Sequence, residues 1–283
     1  MIDACRATAL AWLAEARPAM VVEVIATRGS VPRECGTKML VAADAVAGTI
    51  GGGHLEWQAI ASARAQLAAG APALDAPAID HPIDHHYPLG PALGQCCGGT
   101  VTLRTGRLAA AALAAWPETP PLFTLQLYGA GHVGRAIARL LDDLPCRVQW
   151  IDEREGEFPA APSAAHIERL CVEPVFAEVD AAPAGAYYLV LTHRHDLDLL
   201  ITEAILRRGD FAYLGLIGSA TKRARFLRRF ERRGVPAEAL ARLTCPIGLP
   251  GITSKQPEVV ALAVVAQLLQ LTSSPVPQQQ DQR

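Results

Sequence analysis

The stretch FTLQLYGAGHVGRAIARLL, residues 123–141, decides the fold. The strand-like FTLQLY runs into Gly129-Ala130-Gly131-His132-Val133-Gly134, and this turn opens the helix VGRAIARLL. Each glycine has a physical task. Gly129 permits the tight turn, Gly131 lets the backbone approach a pyrophosphate, and Gly134 lets the helix pack on the strand. The helix N-terminus favours anionic charge. Asp152 ends the next strand, CRVQWIDER, about 20 residues later, the spacing at which a carboxylate binds ribose hydroxyls. Arg154 close behind suits a phosphate there. Gly129, Gly131, His132, Gly134 and Asp152 are thus candidate cofactor-binding residues. A doubly wound domain can also keep this turn without any dinucleotide.

The rest of the second half follows the same alternation. AYYLVLTH (186–193) is a continuous apolar strand followed by the helix DLDLLITEAILRRG, and FAYLGLIGS is a strand followed by the helix TKRARFLRRFERRG. Fully apolar strands alternating with helices predict a parallel sheet covered on both faces. The final helix, PEVVALAVVAQLLQL, is apolar all round, which predicts deep burial or a subunit interface. His193, Arg194 and His195 fall at the carboxyl end of a strand, where ligands of such sheets bind. A cation or imidazole there suits an anionic or pterin-like ligand; the alternative is a solvated loop with a helix cap at Asp196. Ser219 and Lys222 similarly read as a phosphate contact or as a helix cap with a solvated lysine. The basic run from Lys222 to Arg233 reads as a solvated or protein-docking face rather than a nucleic-acid stripe.

The first half has a different rhythm. A helix is predicted over about 2–17, strands over 20–27, 37–43, 45–50 and 100–105, and a helix from His54 that follows Gly51-Gly52-Gly53. Those three glycines form a possible anion nest, with Arg28, Ser30, Arg33 and Lys38 near in sequence; tight turns explain them equally well. Residues 71–95 read as irregular. The domains predicted are 1–105, a linker over 106–121, a doubly wound domain over 122–272, and a disordered tail over 273–283.

Composition excludes several classes. The net charge of −2 carries no footprint for nucleic acid. No apolar run approaches a membrane span, and no leader is read at the amino terminus. Seven cysteines in a chain of this size point to free thiols in a reducing cytoplasm. His81, His85 and His86 match no closed zinc signature. The adjacent Cys96 and Cys97, in LGQCCGG, read as a redox pair, a soft-ligand clamp or plain core filling; a disulfide between neighbours would be strained.

Seven motifs in order, GSVPRECGTKMLV, GTIGGGHLE, LGQCCGGTV, LYGAGHVGRA, LTHRHDLD, LGLIGSATKRARF and CPIGLPGITSKQPEVVALAVVAQLL, together resemble the XdhC/CoxI family over residues 5–270. The resemblance implies an amino-terminal mixed α/β domain and a carboxy-terminal Rossmann-like domain. Family members are xanthine dehydrogenase accessory proteins. The resemblance therefore implies a non-enzymatic role: binding molybdenum cofactor (molybdopterin) as cargo, supporting its sulfuration by a cysteine desulfurase, and delivering it to the molybdenum subunit of apo-xanthine dehydrogenase. A cytoplasmic homodimer is the expected form. The family pattern falls on Gly94, Gln95, Cys96, Cys97, Gly98 and Gly99. Ala220 departs from it, since many relatives carry Arg after the Gly-Ser.

The chemistry fits such a role. A soft thiolate is a sensible transient partner for molybdenum, and the following glycines let a bulky group come close. Cys96 and Cys97 are the predicted molybdenum contacts, with the weight on Cys97, and Gln95, Gly98 and Gly99 line the same loop. The Gly129 turn or Gly51–Gly53 would hold the pterin phosphate. The alternative function is an NAD(P)-dependent oxidoreductase with His193 or His195 as acid/base, and a third is a scaffold without a small ligand.

Overall fold

The computed structural model describes residues 4–69, 82–89, 98–116 and 120–273. It divides into two compact units, Ile2–Glu118 and Thr119–Arg283.

The first unit is built on an antiparallel sheet. Its strands are β1 (Ala19–Arg28), β2 (Lys38–Ala42), β3 (Val46–Gly48), β4 (Ile83–Pro88) and β5 (Thr100–Arg107), in the order β3-β2-β1-β5-β4. Alternation along β1 explains the layers, because successive side chains point to opposite faces. Met20, Val22 and Val24 meet Leu55, Ala59 and Ala63 of helix α2 (Gly53–Ala69). Ala19 and Val21 face the other way, onto Cys5, Ala9 and Trp12 of α1 (Ala4–Ala14) and Leu113 of α3 (Ala110–Ala114). Both faces are covered, so the central strands read as unbroken apolar runs.

Two expectations change here. Residues 83–88, within the segment read as irregular, form β4, with His85 opposite Leu103 and Tyr87 opposite Val101. An exposed edge strand buries almost nothing, so IDHHYP carries no apolar alternation to read. Residues 106–116, placed in a linker, carry the end of β5 and α3, and Trp116 joins the core.

The second unit is a parallel six-stranded sheet of the Rossmann type. Its strands are β6 (Thr124–Tyr128), β7 (Arg147–Asp152), β8 (Ile167–Cys171), β9 (Tyr187–Val190), β10 (Tyr213–Leu216) and β11 (Leu243–Thr244), in the order β11-β10-β9-β6-β7-β8. Helices α4 (His132–Leu141) and α8 (Pro257–Ser273) pack on one face, against Leu125, Leu127 and Leu189. Helices α5 (His195–Arg208), α6 (Ala220–Arg232) and α7 (Ala237–Ala241) pack on the other, against Tyr128, Tyr188 and Val190. Strands β8 and β11 escape the sequence reading: β8 is an edge strand burying only Ile167, and β11 has two residues. Helix α8 buries Ala261, Val264, Val265 and Leu268 but leaves Leu262 and Leu271 exposed.

The predicted tail residues 274–283 lie outside the described residues. Among the described residues, no helix is long and apolar enough to cross a membrane.

Candidate functional site

In the second unit the chain leaves β6 toward β7 and β8 on one side, then returns to β9 on the other. The carboxyl ends of β6 and β9 therefore flank the switch point where such sheets bind ligands. The glycine turn sits there. Gly129 has φ +120°, and a Cβ on it would collide with the Leu191 carbonyl oxygen at the end of β9. A Cβ on Gly134 would strike the Gly129 carbonyl oxygen, so this glycine seats α4 on β6. Gly131 faces open space, as a turn meant for close approach requires, and His132 beside it is exposed.

Asp152, 4% exposed at the end of β7, does something other than present a bare carboxylate. Its Oδ2 accepts from the Ala130 amide at 2.6 Å and Arg154 Nη2 at 3.0 Å. Its Oδ1 accepts from the Arg154 amide and Nε, both at 3.0 Å. Burial pushes its carboxyl up, but the Arg154 guanidinium and the two amides outweigh this and hold it below the ordinary carboxylate value. A carboxylate has about four acceptor positions, and here all are filled. Ribose hydroxyls find no free acceptor on Asp152, and Arg154 neutralises the acid instead of waiting for a phosphate.

The end of β9 carries the next candidates. His193 and His195 are both exposed. His193 Nε2 lies 3.6 Å from Glu153 Oε1, which also meets Arg194 at 3.5 Å. Arg194 further pairs with Asp196 at 2.6 Å, so Asp196 is an ion-pair partner and not the cap of α5. The structural acid is Asp198, two residues on. It accepts from the Thr192 amide at 3.0 Å and hydroxyl at 2.7 Å, and from buried Lys222 Nζ at 2.6 Å. Lys222 is thus neither solvated nor exposed. Ser219 caps α6 by accepting from the Lys222 amide at 3.2 Å. Thr192, His193, His195, Asp198, Ser219 and Lys222 line a cleft of about 300 Å³.

In the first unit, Gly51–Gly53 resolves differently from the expected anion site. Glu56, in the first turn of α2, turns back over the glycines. Its carboxylate accepts from the amides of Ile50 at 3.0 Å and Gly52 at 3.1 Å and from the Thr49 hydroxyl, while the Gly51 amide donates to Thr49 Oγ1. The nest holds the chain's own anion. Its spacing, an acid three residues after the glycine that starts the helix, was the missed signal.

The glycine motifs of this unit nevertheless converge. A Cβ on Gly51 would lie 2.5 Å from Pro32 Cβ. Gly99 packs against the backbone of Arg28 and Ser30, 2.5 Å from the Arg28 carbonyl oxygen at its would-be Cβ. The loop 28–33 therefore lies between the Gly51 turn and Gly98–Gly99, with Arg28, Ser30 and Arg33 exposed. Lys38 is turned away, onto Glu23 at 2.8 Å. Gln95, Cys96 and Cys97 lie outside the described residues, as does His81.

The described cysteines offer a contrast. Cys5, Cys35, Cys146, Cys171 and Cys245 form no disulfide with one another. Burial pushes the Cys146 thiol up to about 12, which makes it a core residue and a poor metal ligand.

A family model described as the XdhC Rossmann domain matches residues 125–268, and one described as the XdhC and CoxI family matches residues 12–75. The chain belongs to the XdhC and CoxI family. An uncharacterized protein, YqeB of Escherichia coli (strain K12), is 30% identical over 272 residues, covering 91% of this chain and 44% of the relative. The chain thus spans less than half the length of that curated protein. A solved structure described as a xanthine dehydrogenase from Bacillus halodurans superposes with a TM-score of 0.73 at 19% identity. It covers 95% of this XdhC/CoxI chain and 98% of its own, and shares the fold.

Proposed function

We propose that this chain is an accessory protein of molybdoenzyme maturation. It binds molybdenum cofactor as cargo, supports its sulfuration, and hands it to an apo-xanthine dehydrogenase; the protein itself is not an enzyme. The observation that carries this reading is the match to the family in both halves, together with the Cys96-Cys97-Gly98-Gly99 sequence. The described end of that sequence, Gly98–Gly99, re-enters the sheet beside the exposed Arg28 and Ser30. A thiolate is the soft ligand that molybdenum favours, and the buried Cys146 is no substitute for it. The NAD(P)-dependent alternative is disfavoured by the filled acceptors of Asp152.

The test uses purified protein incubated with molybdenum cofactor and, separately, with NADP, followed by gel filtration and measurement of bound molybdenum, pterin and nucleotide. Wild-type protein is expected to retain molybdenum and pterin together. The Cys96→Ala/Cys97→Ala variant is expected to lose retention with an unchanged circular dichroism spectrum. Equal retention by that variant overturns the cysteine assignment, and nucleotide bound in place of pterin overturns the function.

A further inference from the structure

The cleft between the carboxyl ends of β9 and β10 is explained neither by the glycine turn nor by the cysteine pair. Its wall contains a buried charge pair. Lys222 is 9% exposed and Asp198 1% exposed. Buried ion pairs rarely stabilise a fold more than apolar residues of the same shape. Gly218 makes room for this one: a Cβ there would lie 2.6 Å from Lys222 Cδ, so glycine lets the lysine stem fold across the end of β10.

The hydrogen-bond inventory says what the cleft selects. The Lys222 ammonium has three N–H donors. One goes to Asp198 Oδ2 at 2.6 Å and one to the Ile217 carbonyl at 2.8 Å; the third has no hydrogen-bond acceptor among the described residues, and the ammonium lies 5.4 Å from the Phe226 ring. Asp198 Oδ1 is occupied by the Thr192 amide and hydroxyl. The Ser219 oxygen already accepts from the Lys222 amide, so its hydroxyl hydrogen remains to donate. His195 adds a ring nitrogen to the lining, whereas His193 Nε2 is turned toward Glu153 Oε1 at 3.6 Å. Arg194 is engaged by Asp196 and Glu153. The spare donors of Lys222 and Ser219 belong to a wall whose Asp198 carboxylate already accepts three hydrogen bonds from the protein. A ligand that matches is small, anionic and rich in acceptor oxygens. The first turn of the 13-residue helix α6 adds its positive end to the same wall.

We infer that this cleft binds a phosphate monoester, contacted by Lys222 Nζ and Ser219 Oγ, with Asp198 and Thr192 as positioning residues. The volume of about 300 Å³ suits such a head group. The inference rests on the accessory-protein reading only for the identity of the ester, which there is the phosphate of the pterin cargo. The other anion-shaped feature, the Gly51–Gly53 turn, is already filled by Glu56.

The full-length protein is titrated calorimetrically with phenyl phosphate, inorganic phosphate and phenol. Phenyl phosphate and inorganic phosphate are expected to bind and phenol not to bind, and a wild type that binds neither phosphate overturns the inference. Lys222→Met alone would strand a buried carboxylate, so the variant is Lys222→Met/Asp198→Asn, which keeps the volume and removes both charges. Its affinity for phenyl phosphate is expected to fall by about ten-fold or more, the weight of one charge-assisted hydrogen bond. Unchanged affinity in the folded double variant overturns the site. Should that variant not fold, Ser219→Ala decides, with a loss of several-fold expected and unchanged affinity again fatal. Cys96→Ala/Cys97→Ala protein is expected to bind phenyl phosphate like the wild type. Phosphate binding without molybdenum retention therefore sinks the accessory reading alone, and molybdenum cofactor retention unaffected by Lys222→Met/Asp198→Asn sinks the pterin phosphate as the ester and leaves the cleft to the phenyl phosphate titration.

Discussion

At the scale of single residues, Asp152 is a clasp for the glycine turn. Its carboxylate joins β7 to the turn after β6 through the Ala130 amide and is itself clamped by Arg154. Because the folded-state pKa lies below the unfolded value near 3.9, the stabilisation is complete above that value. It is lost as pH falls through the folded pKa, when the native carboxylate must take up a proton. Asp152→Asn is therefore expected to cost about 1–3 kcal/mol at pH 7, the range for a buried group deprived of charged hydrogen bonds. Urea denaturation at pH 7, 5 and 3.5 checks this. The gap between variant and wild type should be constant at the two higher pH values and narrow at the lowest. The position of Asp152 was legible from its distance to the glycines. Its occupation was not, because a spacing cannot say that the arginine two residues later folds back onto it. The burial of Lys222 was hidden for a similar reason: its partner Asp198 lies on another helix, 24 positions away.

At the scale of elements, burial on both sides made the central strands and most helices legible, whereas edges stayed hidden. Strands β1 and β6 announce themselves as apolar runs, but β4 and β8 are edge strands, so their sequences carry too little apolar signal. The start of α2 shows how one element secures its own end. Three glycines give the backbone freedom to turn, with φ +119°, +74° and +67°, and leave amides that need an acceptor. Glu56 supplies it from the first turn of the same helix. Glu56→Ala removes the acceptor for the Ile50 and Gly52 amides and the Thr49 hydroxyl at once. The expected cost is about 0.5–2 kcal/mol, the scale of a lost N-cap, seen as a lower urea midpoint with an unchanged slope. A midpoint equal to that of wild type would mean that water serves these amides equally well. The three glycines were visible as a nest, and the acid that fills it was visible too, but only to a reading that looks for the anion within the chain.

At the scale of the whole molecule, each hydrophobic cluster belongs to a single unit. The clusters around Met39 and Trp12 draw only on residues before 117, and those around Tyr128 and Trp150 only on residues after 122. Stability in such a chain is expected to be held in two separate cooperative blocks. Two glycines provide the test, because each excludes a Cβ by contact with backbone, which cannot swing aside as a side chain can. Gly134→Ala must lift α4 from the turn after β6, and Gly99→Ala must push the end of the glycine loop away from Arg28 and Ser30. Each is expected to cost about 1–3 kcal/mol or more, as overpacking does. Hydrogen exchange read by mass spectrometry separates the blocks. Gly134→Ala should lose protection along β6, α4 and β7 while β1, β2 and β5 exchange as in wild type, and Gly99→Ala should do the reverse. If either substitution speeds exchange evenly through all eleven described strands, the chain is one cooperative block and the two-unit description fails as thermodynamics.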